Sequence, residues 1–310
     1  IVAIVALLCM VFALCACGGG SKGETLTFTT GGETGTYYGF GSVIAQYVSA
    51  NTDLSVTAVT SNGSQANVME LQDGNAELAF CQSDVMSYAY AGTNLFAETG
   101  AVTSFSVVAS LYMEQVQIVT MNPDIKTVED LRGKSVSIGA LGSGVYYNAI
   151  DVLGAYDLTV EDIEAVLEDF GTSAESLQDG KIDAAFITAG APTTAVTSLA
   201  ATRDVYLVQL DDEHIDKLIE TSPYYSKNVI PADAYNMKED ATTVAVGAVI
   251  IARDDVAEDD IYNVVSGIFD SIDTLGHDKK NELDLDFAAS VTAVPYHAGA
   301  AKYFAEKGLT

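Results

Sequence analysis

The chain has 310 residues, 49% of them hydrophobic and 18% charged, and its 14 Lys and Arg against 43 Asp and Glu leave a net charge of −29. That balance excludes nucleic acid as a natural partner, because polyanions are held by basic surface that is scarce here. Three histidines and scattered carboxylates offer no clustered metal ligands, and no metal or other cofactor is expected.

Residues 1–14 form an uninterrupted apolar run, too short for a membrane-spanning helix of about 20 residues and of a length suited to the hydrophobic region of a signal peptide. Leu14-Cys15-Ala16-Cys17 then looks like the lipobox of bacterial lipoproteins. The expected organisation is a signal peptide at 1–16, a lipid-bearing Cys17 that attaches the mature chain to a membrane, and a flexible tether at 17–23 containing Gly18-Gly19-Gly20-Ser21. Cys81 is then the only thiol of the mature chain, so no disulfide can form within it, and it reads as a small buried hydrophobe.

From there the pattern alternates short apolar strands with helical stretches, the pattern of an α/β protein with largely parallel sheets. The first half predicts strands at 26–30, 54–60 and 77–81 and helices at 37–50, 65–72 and 85–91. The second predicts strands at 135–139, 163–170 and 184–188 with a helix at 145–155. Two phrases recur in the same order in both halves. Gly35-Thr36-Tyr37-Tyr38 returns as Gly144-Val145-Tyr146-Tyr147, and Leu71-Gln72-Asp73-Gly74 returns as Leu177-Gln178-Asp179-Gly180. The repetition implies two matched open-sheet lobes. Apolar segments at 107–121 and 243–252 flank the second half and read as crossovers, so lobe I is expected at 24–114 with 246–310, lobe II at 115–245, and a two-strand hinge between them.

In open parallel sheets ligands bind beyond the carboxyl ends of the strands, where the next helices present their N-termini. That rule selects Gly35, Thr36, Tyr37 and Tyr38, then Ser64 and Asn67, then Gln82, Ser83 and Asp84 from the first half. From the second it selects Ser143 and Gly144, the segment 171–173, and Gly190 and Pro192. Helix N-termini offer free N–H donors and partial positive charge, so an acid group can be held without Lys or Arg. Adjacent Tyr37 and Tyr38 point different ways on a helix, so at most one reaches the cleft. Asp84 reads equally as a cap for a helix at 85–91 or as a partner for a ligand ammonium. Gly142-Ser143-Gly144 lacks both the Lys-Ser/Thr of a P-loop and the third glycine of a dinucleotide fingerprint, which argues against a nucleotide.

The order of Gly35-Thr36-Tyr37-Tyr38, Ser61-Asn62-Gly63-Ser64 with Asn67, Gln82-Ser83-Asp84, Gly142-Ser143-Gly144, Gly190-Ala191-Pro192, Ile230-Pro231-Ala232 with Tyr235, and Thr243-Val244-Ala245-Val246 resembles the TAXI-type solute receptors of TRAP transporters. The resemblance spans nearly the whole mature chain. It implies a type II periplasmic-binding-protein fold, a small carboxylate ligand (a glutamate-like amino acid or a dicarboxylate) in the interlobe cleft, and delivery to TRAP membrane permease subunits. Glu33-Thr34, Val145-Tyr146-Tyr147 and Tyr296-His297-Ala298-Gly299, a variant of a Leu-His-Pro-Gly motif, depart from the family pattern. The alternatives are a sensing or surface module of the same fold and, in a different class, an enzyme. Hydrolytic chemistry needs a nucleophile with a base in reach, and His214, His277 and His297 fall at no expected cleft turn, so no enzymatic activity is expected.

Overall fold

A computed structural model describes residues 25–309. The expected signal peptide at 1–16, Cys17 and the tether at 17–23 lie outside those residues. The first half builds β1 (Thr25–Thr29), α1 (Thr36–Asn51), β2 (Ser55–Val59), α2 (Ser64–Gln72), β3 (Leu78–Gln82) and α3 (Ser83–Ala91). A strand of 16 residues, β4 (Phe105–Thr120), leads into β5 (Ser135–Ser137), α4 (Val145–Ala155), β6 (Glu164–Val166), α5 (Phe170–Gln178) and β7 (Ala184–Ala189). Then follow α6 (Thr194–Ala200), β8 (Tyr206–Leu207), α7 (Asp212–Thr221), β9 (Ser226–Ile230), β10 (Ala241–Arg253), α8 (Glu258–Phe269) and α9 (Ala298–Glu306).

One sheet runs through the molecule in the order β2-β1-β3-β10-β4-β7-β5-β6. Its two wings are parallel, β1 with β2 and β3 on one side and β5 with β6 and β7 on the other, and the central pair β4 and β10 is antiparallel. The central strands are buried along almost their whole length, which is why they read as continuous apolar runs and not as an alternating pattern. They also change partners midway. β3 pairs with Ala248–Ala252 of β10, whereas β7 pairs with Gln115–Thr120 of β4.

Each wing has a core on both faces. On the first, Tyr37 stacks on Phe80 with centroids 4.5 Å apart, beside Phe28, Phe40 and Tyr112. On the second, Ile118, Val136, Leu153 and Phe186 form the corresponding layer. The Leu-Gln-Asp-Gly phrases close α2 and α5, and each connection returns to its sheet in the same way. The Glu77 carboxylate accepts the Thr27 N–H at 2.8 Å, and the Asp183 carboxylate accepts the Ser135 N–H at 3.0 Å.

Three expectations need correction. The strand expected at 163–170 shrinks to β6, because Asp169 accepts the Gly171 and Thr172 N–H groups and starts α5 at Phe170. Gln82 belongs to β3 and not to a turn. The next helix begins at Ser83, so Asp84 lies within its first turn and does not cap a helix starting at 85.

Candidate functional site

A cavity of about 60 Å³ lies where the two wings meet, at the carboxyl ends of their parallel strands. Gly31, Gly35, Thr36 and Tyr37 reach it from the β1–α1 turn, Ser61 and Ser64 from the β2–α2 turn, and Gln82 from the end of β3. Ser143, Gly144 and Val145 come from the start of α4, Asp169 and Phe170 from the start of α5, Thr188 from β7, and Glu114 from the middle of β4. Its volume is far below the roughly 300 Å³ at which drug-sized sites begin, so as it stands it has no room for a nucleotide.

The helix starts carry the chemistry. The N-cap residues of α1, α2, α3 and α4 are Gly35, Gly63, Gln82 and Gly144, and none of them supplies a side-chain cap. Glycine N-caps leave first-turn N–H groups open to water or to a ligand. Two adjustments reduce the donor set. The Ser143 hydroxyl accepts the Tyr146 N–H at 3.3 Å, so part of its role is to cap α4. The N-terminus of α5 is already used by Asp169, so the segment 171–173 offers fewer free donors than expected. Burial opposes ionisation of Asp169, yet the hydrogen bonds from Thr172 and Gly171 hold its carboxyl below the usual range.

Among the described residues no Lys or Arg lines the cavity, and the charged residues that do are Glu114 and Asp169. Glu114 is 2% exposed and its carboxylate accepts the Tyr37 hydroxyl at 2.5 Å. Burial, helped by the charge of Asp84, pushes the Glu114 carboxyl up to about 8. Burial and Glu114 also raise the Tyr37 hydroxyl well above the ordinary phenol. Two buried side-chain atoms at this cavity have no hydrogen-bond partner, Gln82 Oε1 and Thr188 Oγ1.

Polar contacts between the wings surround the cavity. Thr36 Oγ1 donates to the Gly190 carbonyl at 2.9 Å, and the Ala66 N–H donates to the Gly142 carbonyl at 3.0 Å. Gln82 Nε2 donates to Asn148 Oδ1 at 3.1 Å, and Asn148 Nδ2 in turn donates to Asp84 Oδ2 at 3.0 Å and to the Tyr225 hydroxyl at 2.7 Å. Burial raises the Asp84 carboxyl to about 7, with nearby Asp151 acting in the same direction. Gly144 sits against this network. A Cβ there would lie 2.0 Å from Gln82 Oε1, so any side chain at 144 must displace the Gln82 amide from Asn148.

Of the residues selected from sequence, Gly35, Thr36, Tyr37, Ser64, Gln82, Ser143 and Gly144 line the cavity. The structure places the others elsewhere. Tyr38 is half-buried on α1 away from the lining, as expected for one of two adjacent helical residues. Asn67 is buried and fully engaged with Thr29, the Thr30 carbonyl and the Phe80 carbonyl, so it ties β1, α2 and β3 together. The Ser83 hydroxyl accepts the Gly247 N–H at 2.9 Å and joins α3 to β10. Asp84 meets Asn148, Gly190 meets Thr36, and Pro192 is exposed beside a separate surface groove. Glu114, Asp169 and Phe170 were missed by the strand-end rule. Glu114 did carry a signal, since it is the only charged residue in the sixteen of β4.

The open mixed α/β sheet with its two wings is the type II periplasmic-binding-protein fold. The chain belongs to the NMT1-like family, whose model matches residues 28–308. Among solved structures it is similar to MatC from Rhodopseudomonas palustris with bound malate, at 12% identity over 83% of this chain and 86% of that one, with a TM-score of 0.57. It is also similar to a Bordetella bronchiseptica RB50 protein, at 16% identity over 93% and 81% with a TM-score of 0.56. A third is the alkanesulfonate-binding protein SsuA from Xanthomonas axonopodis pv. citri bound to MOPS, at 14% identity over 92% and 85% with a TM-score of 0.50. At these identities the likeness is one of fold.

Proposed function

We propose that this protein is an extracytoplasmic solute receptor that closes two lobes over a small carboxylate and delivers it to a TRAP-type membrane permease. Lobe I comprises 24–114 with 246–310 and lobe II 115–245, and the exchange of strand partners along β4 and β10 supports a hinge at that boundary. The observation that carries the reading is the convergence of helix N-termini from both wings on one cavity that no Lys or Arg among the described residues lines. Malate in MatC and MOPS in SsuA are acids held on the same fold, which agrees with it. The test is a thermal-shift panel of amino acids, dicarboxylates, 2-oxoacids and sugars. Ligands of the closed state raise the melting temperature by mass action, about 2.7 kcal/mol at a hundred times Kd. At least one acid is expected to shift the transition. A shift with sugars alone would sink the reading.

We place the protein on the outer face of a cell membrane, held by lipid on Cys17 after cleavage of 1–16. The lipobox-like Leu14-Cys15-Ala16-Cys17 supports that placement. Fatty-acid labelling in a bacterial host is expected for the wild type and not for Cys17→Ser. Equal labelling of both would remove the anchor from the proposal.

A further inference from the structure

The seam between the wings holds a pair of acids outside the cavity lining, one on each side. Asn148 and Asp151 lie three residues apart on α4 and so share one face of that helix. Across the seam is Asp84, in the first turn of α3 and wholly buried. A chain of hydrogen bonds joins the three residues. Asn148 Nδ2 donates to Asp84 Oδ2 at 3.0 Å and to the Tyr225 hydroxyl at 2.7 Å, and the Tyr225 hydroxyl donates to Asp151 Oδ2 at 2.9 Å. Both hydrogens of the Asn148 amide are thereby spent, and its Oδ1 accepts Gln82 Nε2 at 3.1 Å. Asp84 Oδ1 is left buried without a partner.

An acid so placed either keeps a proton or ionises and regains water when α4 draws away. Ionised with the wings together, Asp84 would be a buried charge facing the Asp151 carboxylate across the seam. We propose that Asp84 and Asp151, bridged by Asn148 and Tyr225, form a proton-operated latch between the lobes, in which protonated Asp84 holds α3 on α4 and ionised Asp84 releases it. Protonation then favours capture of a solute and ionisation favours its release. The inference rests on the reading of 24–114 with 246–310 and 115–245 as lobes that part, and it assumes nothing about the chemistry of the solute.

The direction follows from linkage. Burial raises the Asp84 carboxyl to about 7 with the lobes together, against the pull of the Val85 N–H, and on opening it returns toward its ordinary 3.8. The closed form therefore binds the proton more tightly, and its advantage is lost as pH rises from about 4 to 7. The titratable groups around Asp84 are Asp151 from α4, Tyr225 from the segment before β9, Cys81 from β3, Tyr88 from its own helix and Glu114 from β4. None of them is a cation, so none offsets the change. Glu114 bonds to Tyr37 within lobe I, and opening does not divide that pair.

The experiment is amide hydrogen exchange of the ligand-free protein, with protection corrected for the intrinsic pH dependence of exchange. The Ala66 N–H donates to the Gly142 carbonyl and the Ala195 N–H to the Thr34 carbonyl, so both are protected only while the lobes meet. The Asn67 N–H donates to the Gly63 carbonyl inside lobe I and serves as the control. From about pH 5 to pH 8, protection of Ala66 and Ala195 relative to Asn67 is expected to fall at least about tenfold in the wild type and less than about twofold in Asp84→Asn. A wild-type ratio that does not fall, or that falls equally in Asp84→Asn, overturns the latch and leaves the hinged lobes in place. Ala66 and Ala195 already unprotected in acid do the same. Equal protection of all three amides at every pH overturns the parting of the lobes as well. If Asp84→Asn does not fold, Asp151→Asn decides, because removal of the facing charge is expected to shrink the fall at least about threefold and an undiminished fall overturns the assignment.

Discussion

Gly299→Ala is expected to melt at least about 6 °C below the wild type, a loss of about 3 kcal/mol or more. A Cβ at this position would lie 2.1 Å from the Glu258 carbonyl oxygen and 2.7 Å from the Tyr262 amide nitrogen. Both atoms are backbone of α8, so no side chain can swing aside. Neither helix can retreat cheaply. α8 buries Ile261, Val264, Val265 and Ile268, and α9 buries Ala300, Tyr303 and Phe304. The entry to α9 is pinned as well, because the His297 N–H donates to the Val107 carbonyl at 2.8 Å and His297 Nε2 lies 3.1 Å from the Val256 carbonyl. Differential scanning calorimetry of Gly299→Ala checks the expectation, and a midpoint within about 2 °C of wild type would contradict it. The same contacts explain Tyr296-His297-Ala298-Gly299 as a packing motif. His297 accepts the Gly299 N–H through Nδ1 at 3.3 Å and caps α9, and it does not line the cavity.

Hydrophobic patterning carried most of the architecture, because the central strands β4 and β10 and the inner parallel strands β3 and β7 are buried runs whose ends are marked by turns. The repeat was informative for a physical reason too. Glu77 and Asp183 do the same job in the two wings, each taking an N–H from the neighbouring strand, so the recurring phrase reports how a sheet is closed and says nothing of the ligand. The site was harder to read. A strand-end rule finds turns, and it reached the glycine N-caps Gly35 and Gly144 for that reason. It could not reach Glu114, because β4 passes through the cavity from the middle of the sheet. Asp169 and Phe170 were hidden inside a strand expected at 163–170, where a capping aspartate in fact starts a helix. Asn67 shows the converse. A polar residue near a ligand-facing turn is spent entirely on holding three elements together, which depends on burial that no spacing reveals.

Stability is expected to fall as pH rises from about 4.5 to 8, opposite to the trend in proteins held by ion-paired carboxylates. The cause is the pair of buried acids. Burial raises Asp84 from its ordinary value of 3.8 to about 7 and Glu114 from 4.5 to about 8. A raised carboxyl means that the folded protein binds the proton more tightly than the unfolded chain does. The stabilisation from each group is therefore fully present below its unfolded value, and it is lost as pH climbs through its folded value. Within that window each group removes up to about 1.4 kcal/mol per pH unit. The carboxyls that are lowered, including Asp130, Asp162, Asp211 and Asp270, act in the opposite sense but only below about pH 4, whereas His277 and His297, both lowered by burial, add stability as pH rises toward 6.5 and offset part of the decline below that point. Melting temperatures measured at pH 5, 6, 7 and 8 in the absence of ligand should decrease steadily. In the double variant Asp84→Asn with Glu114→Gln, which mimics the protonated pair, most of that slope should disappear. A wild-type profile that is flat or rises toward pH 8 would mean that these two acids ionise in the folded protein at little cost, through water or a cation that reaches them.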